Sequence, residues 1–257
     1  MNNKLKWIEP NQQYGFVALS TIPLRKEAKD SSEQTSQLLF GETVEILNYS
    51  TPWLKIRCLN DGYEGYVDHK QLLALTQKEL RQWLDSALIL SQPMQTIEGP
   101  MGLQLISGGS YVGAKGKFNI GPFHYQYHPH LDKIDAWQYA LGFINTPYLW
   151  GGKSIFGIDC SGLVQNVFRL LDINLPRDAY QQADFGNEVD FEQKQPLDLA
   201  FFKNSQGRIH HVGIIGLDNQ ILHASGQVRI DTLLFDGIFN QSADLITHSL
   251  DHIRRYL

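Results

Sequence analysis

From Asp132 onward the chain places helical periodicity first and strand alternation after it, and that order limits the possible folds more than any other feature of the sequence. The run 132–143 (DKIDAWQYALGF) has helical spacing, and 160–171 (CSGLVQNVFRLL) has it more strongly. In the second run Leu163, Val164, Val167, Phe168 and Leu171 form one apolar stripe. After Pro196 come strand-like runs at 198–202, 211–216, 221–224 and 228–231. Helices followed by antiparallel strands predict an α+β domain over 131–257.

The first eighty residues read differently. Short β-branched and aromatic runs at 14–18, 43–47, 53–58 and 63–67 alternate with turn-forming pieces such as Asn60-Asp61-Gly62. A polar stretch, 26–35, fits a long surface loop. Strands at this spacing predict a small barrel over 1–76. Residues 75–90 carry apolar positions at helical spacing, so the segment 77–130 is read as a helix and then a Gly/Pro/aromatic-rich connector with one or two short strands, or a reduced second barrel. His124, His128 and His130 lie in it at no metal-binding spacing and are read as solvated or core-edge side chains.

The 22 basic and 27 acidic residues give a formal charge of −5 with no basic cluster, which argues against a nucleic-acid partner. No apolar run has the length of a membrane span, and no apolar segment follows the basic residues near the start, so a membrane partner is not expected and the cytoplasm is the expected compartment; an exported form would need a cleaved signal. Cys58 and Cys160 could pair once, but two cysteines do not make a disulfide framework.

The chemistry gathers around Asp159-Cys160-Ser161-Gly162. Asp159 is placed to cap the strong helix, leaving Cys160 in its first turn. There the helix end favours a thiolate, and unsatisfied N–H groups can donate to an oxyanion. The competing reading is a plain buried cysteine. Cys160 needs a base: His211 opens one apolar strand and His223 lies on the next. If the loop between them holds an odd number of residues, such as 217–219, Val212 faces Ala224 and the two histidines share a face as diagonal neighbours. An even loop would send them to opposite faces. Core histidines, or a zinc site made by Cys160, His211 and His223, are the other readings of the same residues.

In chain order, Tyr148-Leu149-Trp150-Gly151-Gly152, Asp159-Cys160-Ser161-Gly162-Leu163-Val164, Leu175-Pro176-Arg177, His211-Val212-Gly213-Ile214 and His223-Ala224 resemble the motifs of the NlpC-type cysteine peptidases over about half the chain. Upstream, VALSTIPLRKEA, QLLFGETVEIL and WLKIRCLNDGYEGYV resemble the bacterial SH3-like domain. The resemblance implies a reduced papain-like catalytic domain behind a small SH3-like β-barrel. It implies Cys160 as nucleophile, His211 as base, His223 as its orienting residue, Tyr148 at the oxyanion site, and Asp159 and Ser161 lining the cleft. Among such enzymes the combination is similar to the γ-D-glutamyl-L-diamino-acid endopeptidases of dipeptidyl-peptidase VI type, in which the SH3-like domain walls off the cleft and a free N-terminal L-alanine is required. Glu42 and Tyr63 are the candidates for binding that ammonium, with Asp159 from the catalytic side. No metal or cofactor is expected, the partners are peptidoglycan stem peptides, and a monomer is expected. Ala179 stands where the family often has a substrate-contacting hydroxyl. Alternatives on the same scaffold are an exported wall hydrolase, an amidase or acyltransferase, and a decayed wall-binding protein.

Overall fold

Alternating apolar and polar side chains pair the early segments of the chain into antiparallel ladders, as the computed structural model of residues 8–129 and 134–257 shows. The chain divides into two units. One runs to Ile134 and also takes in Lys153–Ile155; the other comprises Asp135–Gly152 and Phe156–Leu257.

In the first unit, β1 (Tyr14–Phe16), β2 (Thr21–Arg25), β3 (Gln34–Leu39), β4 (Thr43–Ser50), β5 (Trp53–Cys58), β6 (Glu64–Asp68) and β7 (Leu73–Leu75) form one sheet in the order β3-β2-β6-β5-β4-β1-β7. It bends around Val17, Ile22, Leu24, Leu38, Val44, Leu54, Ile56, Cys58 and Val67. The expected loop at 26–35 gives way to β3 from Gln34. Helix α1 (Gln77–Leu84) starts on a reciprocal capping box between Thr76 and Glu79 and buries Leu80 and Trp83. It is shorter than the sequence suggests. The apolar run after it becomes β8 (Ala87–Ile89), paired with β11 (Tyr111–Gly113), because a short apolar run suits a strand as well as a helix turn.

The connector is also more ordered than expected. β9 (Met94–Gly99), β10 (Gly102–Ser107), β12 (Lys117–Ile120) and β13 (Phe123–Tyr127) make a second sheet in the order β10-β9-β13-β12. Its glycines and prolines mark turns inside this sheet: Gly99 pairs with Gly102 across Pro100-Met101, with Gly102 at φ 93°. Ile97, Ile106, Ile120 and Tyr125 share a core with Phe16, Phe40 and Trp83. His124 and His128 are exposed, as expected of solvated side chains; His130 lies outside the described residues.

The two-residue strand β14 (Lys153–Ser154) belongs to the first unit, and the second unit carries α2 (Ala136–Leu141), the two-residue strand β15 (Gly157–Ile158), α3 (Cys160–Leu170) and α4 (Ala179–Gln182). Its sheet follows: β16 (Asn187–Val189), β17 (Leu199–Lys203), β18 (Ile209–Ile215), β19 (Gln220–Ser225), β20 (Gln227–Leu234), β21 (Gly237–Asn240) and β22 (Leu245–Arg255). The order is β16-β22-β17-β18-β19-β20-β21, and β22 also pairs with β21, so β17 to β22 close into a six-stranded barrel. Three of these strands, β16, β21 and β22, have no counterpart in the sequence reading. β22 supplies the closure with few buried apolar positions, and this weakens its alternation signal. Helix α3 packs against β18 and β19, which brings the cysteine at its start to the histidines on those strands.

Candidate active site

Helix α3 begins where the sequence places it. The Asp159 carboxylate caps it, accepting the Gly162 N–H at 2.8 Å. The same carboxylate accepts Gly151 N–H at 2.9 Å and two bonds from Arg177, Nη1 at 3.1 Å and Nη2 at 2.6 Å. Arg177 Nη1 also donates to Ser161 Oγ at 2.8 Å. A bidentate guanidinium therefore locks the turn that carries Cys160, with Arg177 only 1% exposed. The preceding Gly-Gly pair is required by the backbone: Gly151 sits at φ 74°, and a Cβ on Gly152 would lie 2.4 Å from the Gly157 carbonyl oxygen. Asp159 and Ser161, expected to line the substrate cleft, are each 5% exposed, and in this structure they organise the helix start.

The hairpin β18–β19 adopts the odd register. Gly213 faces His223 and Ile215 faces Ile221, so His211 and His223 lie on one face, one diagonal step apart. Asp218 and Asn219 make the turn at φ 50° and 59°. His211 Nε2 and His223 Nδ1 are 2.9 Å apart, and both rings are buried. The line continues: His223 Nε2 lies 3.0 Å from Asp231 Oδ2 on β20. Asp231 is held in turn by Arg229, whose Nη2 donates to Oδ1 at 2.9 Å. The sequence reading missed Asp231 and Arg177, because both depend on pairings outside the motifs that contain them.

The sulfur of Cys160 accepts from the backbone N–H groups of Val212 and Ser161, which places it beside the strand of His211. Burial pushes the thiol up to about 12, the Asp159 charge adds to this, and the two N–H groups and Arg177 only partly offset it. The helix-end argument taken alone predicts a lowered value, and it loses to desolvation. Burial likewise holds His211 well below the ordinary imidazole value, with His223, His248 and His210 acting in the same direction. The pair therefore rests as thiol and neutral imidazole. The Tyr148 phenol is raised first by burial and then by the nearby Cys160 and Asp159 charges, so it stays a neutral donor close to the sulfur.

His248, on β22, is a member of the site that the sequence reading did not anticipate. Its ring stacks on His211 with centroids 4.2 Å apart at 27°. The ligand atoms of His211, His223 and His248 lie within 4.8 Å of one another. The donor set fits a metal poorly: the nearly parallel rings of His211 and His248 aim their nitrogens side by side, and the contact between His211 Nε2 and His223 Nδ1 already engages one nitrogen of each ring. Cys58 and Cys160 are both free thiols, Cys58 buried in the first unit's core.

Of the expected ammonium ligands, Glu42 is 2% exposed, and the ammonium it meets is that of Lys153, at 2.8 Å. Its other oxygen accepts the Leu39 N–H at 2.9 Å. Tyr63 is half-buried against the first unit's core. Ala179 opens α4 and is 8% exposed.

Residues 145–244 match the NlpC/P60 family, and residues 24–72 match the bacterial dipeptidyl-peptidase SH3 domain. The γ-D-glutamyl-L-lysine dipeptidyl-peptidase of Bacillus cereus is 39% identical over 229 residues, 76% of this chain and 68% of that protein. Dipeptidyl-peptidase 6 of Lysinibacillus sphaericus is 34% identical over 243 residues, 79% of this chain and 85% of that protein. A crystal structure of an NlpC/P60 family protein from Bacillus cereus superposes with a TM-score of 0.78 at 20% identity, covering 95% of this chain and 99% of that one, which establishes a shared fold.

Proposed function

The chain belongs to the NlpC/P60 family, and on that premise we propose that it hydrolyses the γ-D-glutamyl-L-diamino-acid bond of peptidoglycan stem peptides with a free N-terminal L-alanine, releasing L-Ala-γ-D-Glu. The observation that supports the reading is the buried His211–His223 pair on strands beside Cys160, whose sulfur accepts the Val212 N–H, in a chain that also matches the SH3 domain of bacterial dipeptidyl-peptidases. Two relatives that align over most of this chain are named a γ-D-glutamyl-L-lysine dipeptidyl-peptidase and a dipeptidyl-peptidase 6.

In the proposed reaction His211 Nδ1 takes the Cys160 proton as sulfur attacks the γ-carbonyl carbon, because a buried neutral thiol needs its base within the same step. The negative charge that forms on the carbonyl oxygen meets donors at the helix start. Gly162 N–H is committed to Asp159 and Ser161 N–H to the sulfur, so the Cys160 N–H and the Tyr148 hydroxyl are the proposed oxyanion ligands. The diamino acid leaves with the proton held by His211. Water, deprotonated by the same imidazole, then hydrolyses the thioester and restores the thiol. Release of a dipeptide suits reuse of small wall fragments, which supports a cytoplasmic role; among the described residues no helix is long and apolar enough to cross a membrane.

Mass spectrometry of products from L-Ala-γ-D-Glu-meso-diaminopimelate, its lysine counterpart and their N-acetylated forms tests the reading, with Cys160→Ala as control. The expected result is L-Ala-γ-D-Glu from the free peptides only, lost in the variant. Equal cleavage of the acetylated forms would remove the free-amine requirement. No cleavage of any of them would overturn the substrate assignment.

A further inference from the structure

The geometry points to Asp231 as a positioning residue that, through His223, decides which nitrogen of His211 is free to take the Cys160 proton. A carboxylate accepts hydrogen bonds and cannot donate them. With Asp231 Oδ2 at 3.0 Å, His223 Nε2 must therefore carry its proton, and in the neutral ring Nδ1 is left as a lone pair. That lone pair lies 2.9 Å from His211 Nε2, so His211 must be the donor there and hold its own proton on Nε2. The lone pair of neutral His211 then falls on Nδ1, the nitrogen the acyl-transfer step needs. In the opposite arrangement His223 would carry Nδ1–H and set a bare Nε2 against the carboxylate. His211 would then accept at Nε2, keep its proton on Nδ1, and be unable to receive another from sulfur. One buried carboxylate thus separates a competent base from an inert one.

The balance of the step is simple. The S–H bond breaks, the sulfur keeps the electron pair, and the proton goes to His211 Nδ1. No proton needs to leave Nε2 of either ring. The imidazolium that results is stabilised through the row by the Asp231 charge. Burial works against that charge, but the bonds from His223 and Arg229 outweigh it and hold Asp231 below the ordinary aspartate value. Arg229 also fixes the carboxylate's orientation, with Nε 2.8 Å from Oδ2 in addition to the Nη2 bond.

The sheet register produces the row. His223 faces Arg229 across β19–β20, and Asp231 faces Ile221, so Asp231 stands one diagonal step from His223 just as His223 does from His211. Both steps run in the same direction across β18, β19 and β20. The inference rests on the cysteine-peptidase reading of Cys160 and His211, but its first readout requires no turnover.

The test begins with two-bond 1H–15N spectra of the full chain labelled at histidine nitrogens, near pH 7.5, assigned with single His→Gln variants. Both His211 and His223 are expected to carry Nε2–H with Nδ1 bare. His223 found with Nδ1–H would overturn the proposal. In Asp231→Asn, whose amide must oppose either His223 or Arg229, a Nδ1–H population of His223 is expected. kcat/KM should fall about 10- to 100-fold through kcat, with KM little changed. The acid limb of the profile should move down by about one pH unit as the imidazolium loses its counter-charge. The groups around His211 that could also move it are His223, His248, His210 and Cys160, with Phe202 packed on its ring and Arg229 beyond Asp231. Arg229→Gln, which keeps the carboxylate, should give the same changes at smaller amplitude and guards against an Asp231→Asn chain that fails to fold. Unaltered tautomers with an unmoved acid limb in both folded variants would overturn the inference, whereas expected tautomers in a wild-type chain that cleaves no stem peptide would leave it standing and count against the substrate assignment alone.

Discussion

At the helix end of the site, Asp159 gathers backbone, hydroxyl and guanidinium donors around one carboxylate, while at the sheet end Asp231 terminates a row of imidazole rings. Both ends bury an acid beside an arginine. At the helix end the acid is saturated and its charge fixes backbone, so its contribution is rigidity. At the sheet end it faces a titratable ring, so it also sets where a proton resides. The same pair of residue types thus serves shape in one place and proton position in the other, depending on what shares the carboxylate.

The comparison can be broken most severely at the proton-accepting step. His211→Ala should lower kcat by about 10²- to 10⁴-fold, with folding intact by circular dichroism. Product release measured by mass spectrometry would show it, and a loss below tenfold would mean that the ring is not the base. Next comes the saturated end. Arg177→Met leaves the Asp159 charge buried with its main partner gone and should cost about 3–5 kcal/mol of stability, read by urea unfolding. A cost below about 1 kcal/mol would show that the backbone donors suffice without the guanidinium.

A smaller effect separates stacking from acid–base work at His248. His248→Phe keeps a flat ring against His211, whereas His248→Ala removes it. The alanine variant should lose up to about tenfold in kcat/KM, in line with about 0.5–1.5 kcal/mol for a ring pair, and the phenylalanine variant should stay close to wild type. If both lose equally, the nitrogen of His248 matters and the stacking account fails.

The last expected effect is on acid stability and is read without turnover. His248 has its pKa lowered to about 4, chiefly by burial, and His211 is lowered as well. Each binds its proton in the unfolded chain before it does so in the folded one. Stability is therefore full above about pH 6.5 and falls as pH drops from there towards 4. Thermal midpoints between pH 7.5 and 4.5 should show the decline, and His248→Phe should flatten part of it.

Much of this site is legible in the residues themselves. The apolar stripe behind Cys160 fixes the helix, Asp159 marks its start, and the odd turn at 217–219 puts both histidines on one face. Each of those inferences uses neighbours along the chain or a single hairpin. Asp231 needs the register of a second hairpin through Gly226, and Arg177 reaches Asp159 only by tertiary folding, so neither has a local signal. The thiol shows a further limit: its position at a helix end is readable, but the burial that reverses the expected shift depends on β18 closing over it. In the first unit, glycines and prolines that read as a loose connector are the turns of a sheet, because composition alone does not distinguish a loop from closely spaced hairpins.

The diagonal from His211 to Asp231 has a consequence for how this enzyme tolerates change. Its spacing is set by two turns, 217–219 and Gly226, that contribute no side chain to the row. Insertion and deletion scanning should therefore give an alternating record: one added or removed residue in either turn silences the enzyme by turning a strand over, while two, which restore the facing, leave measurable activity. A lineage of such proteins would vary these turns in steps of two, and their length would carry as much information about catalysis as the identity of any residue beside the substrate.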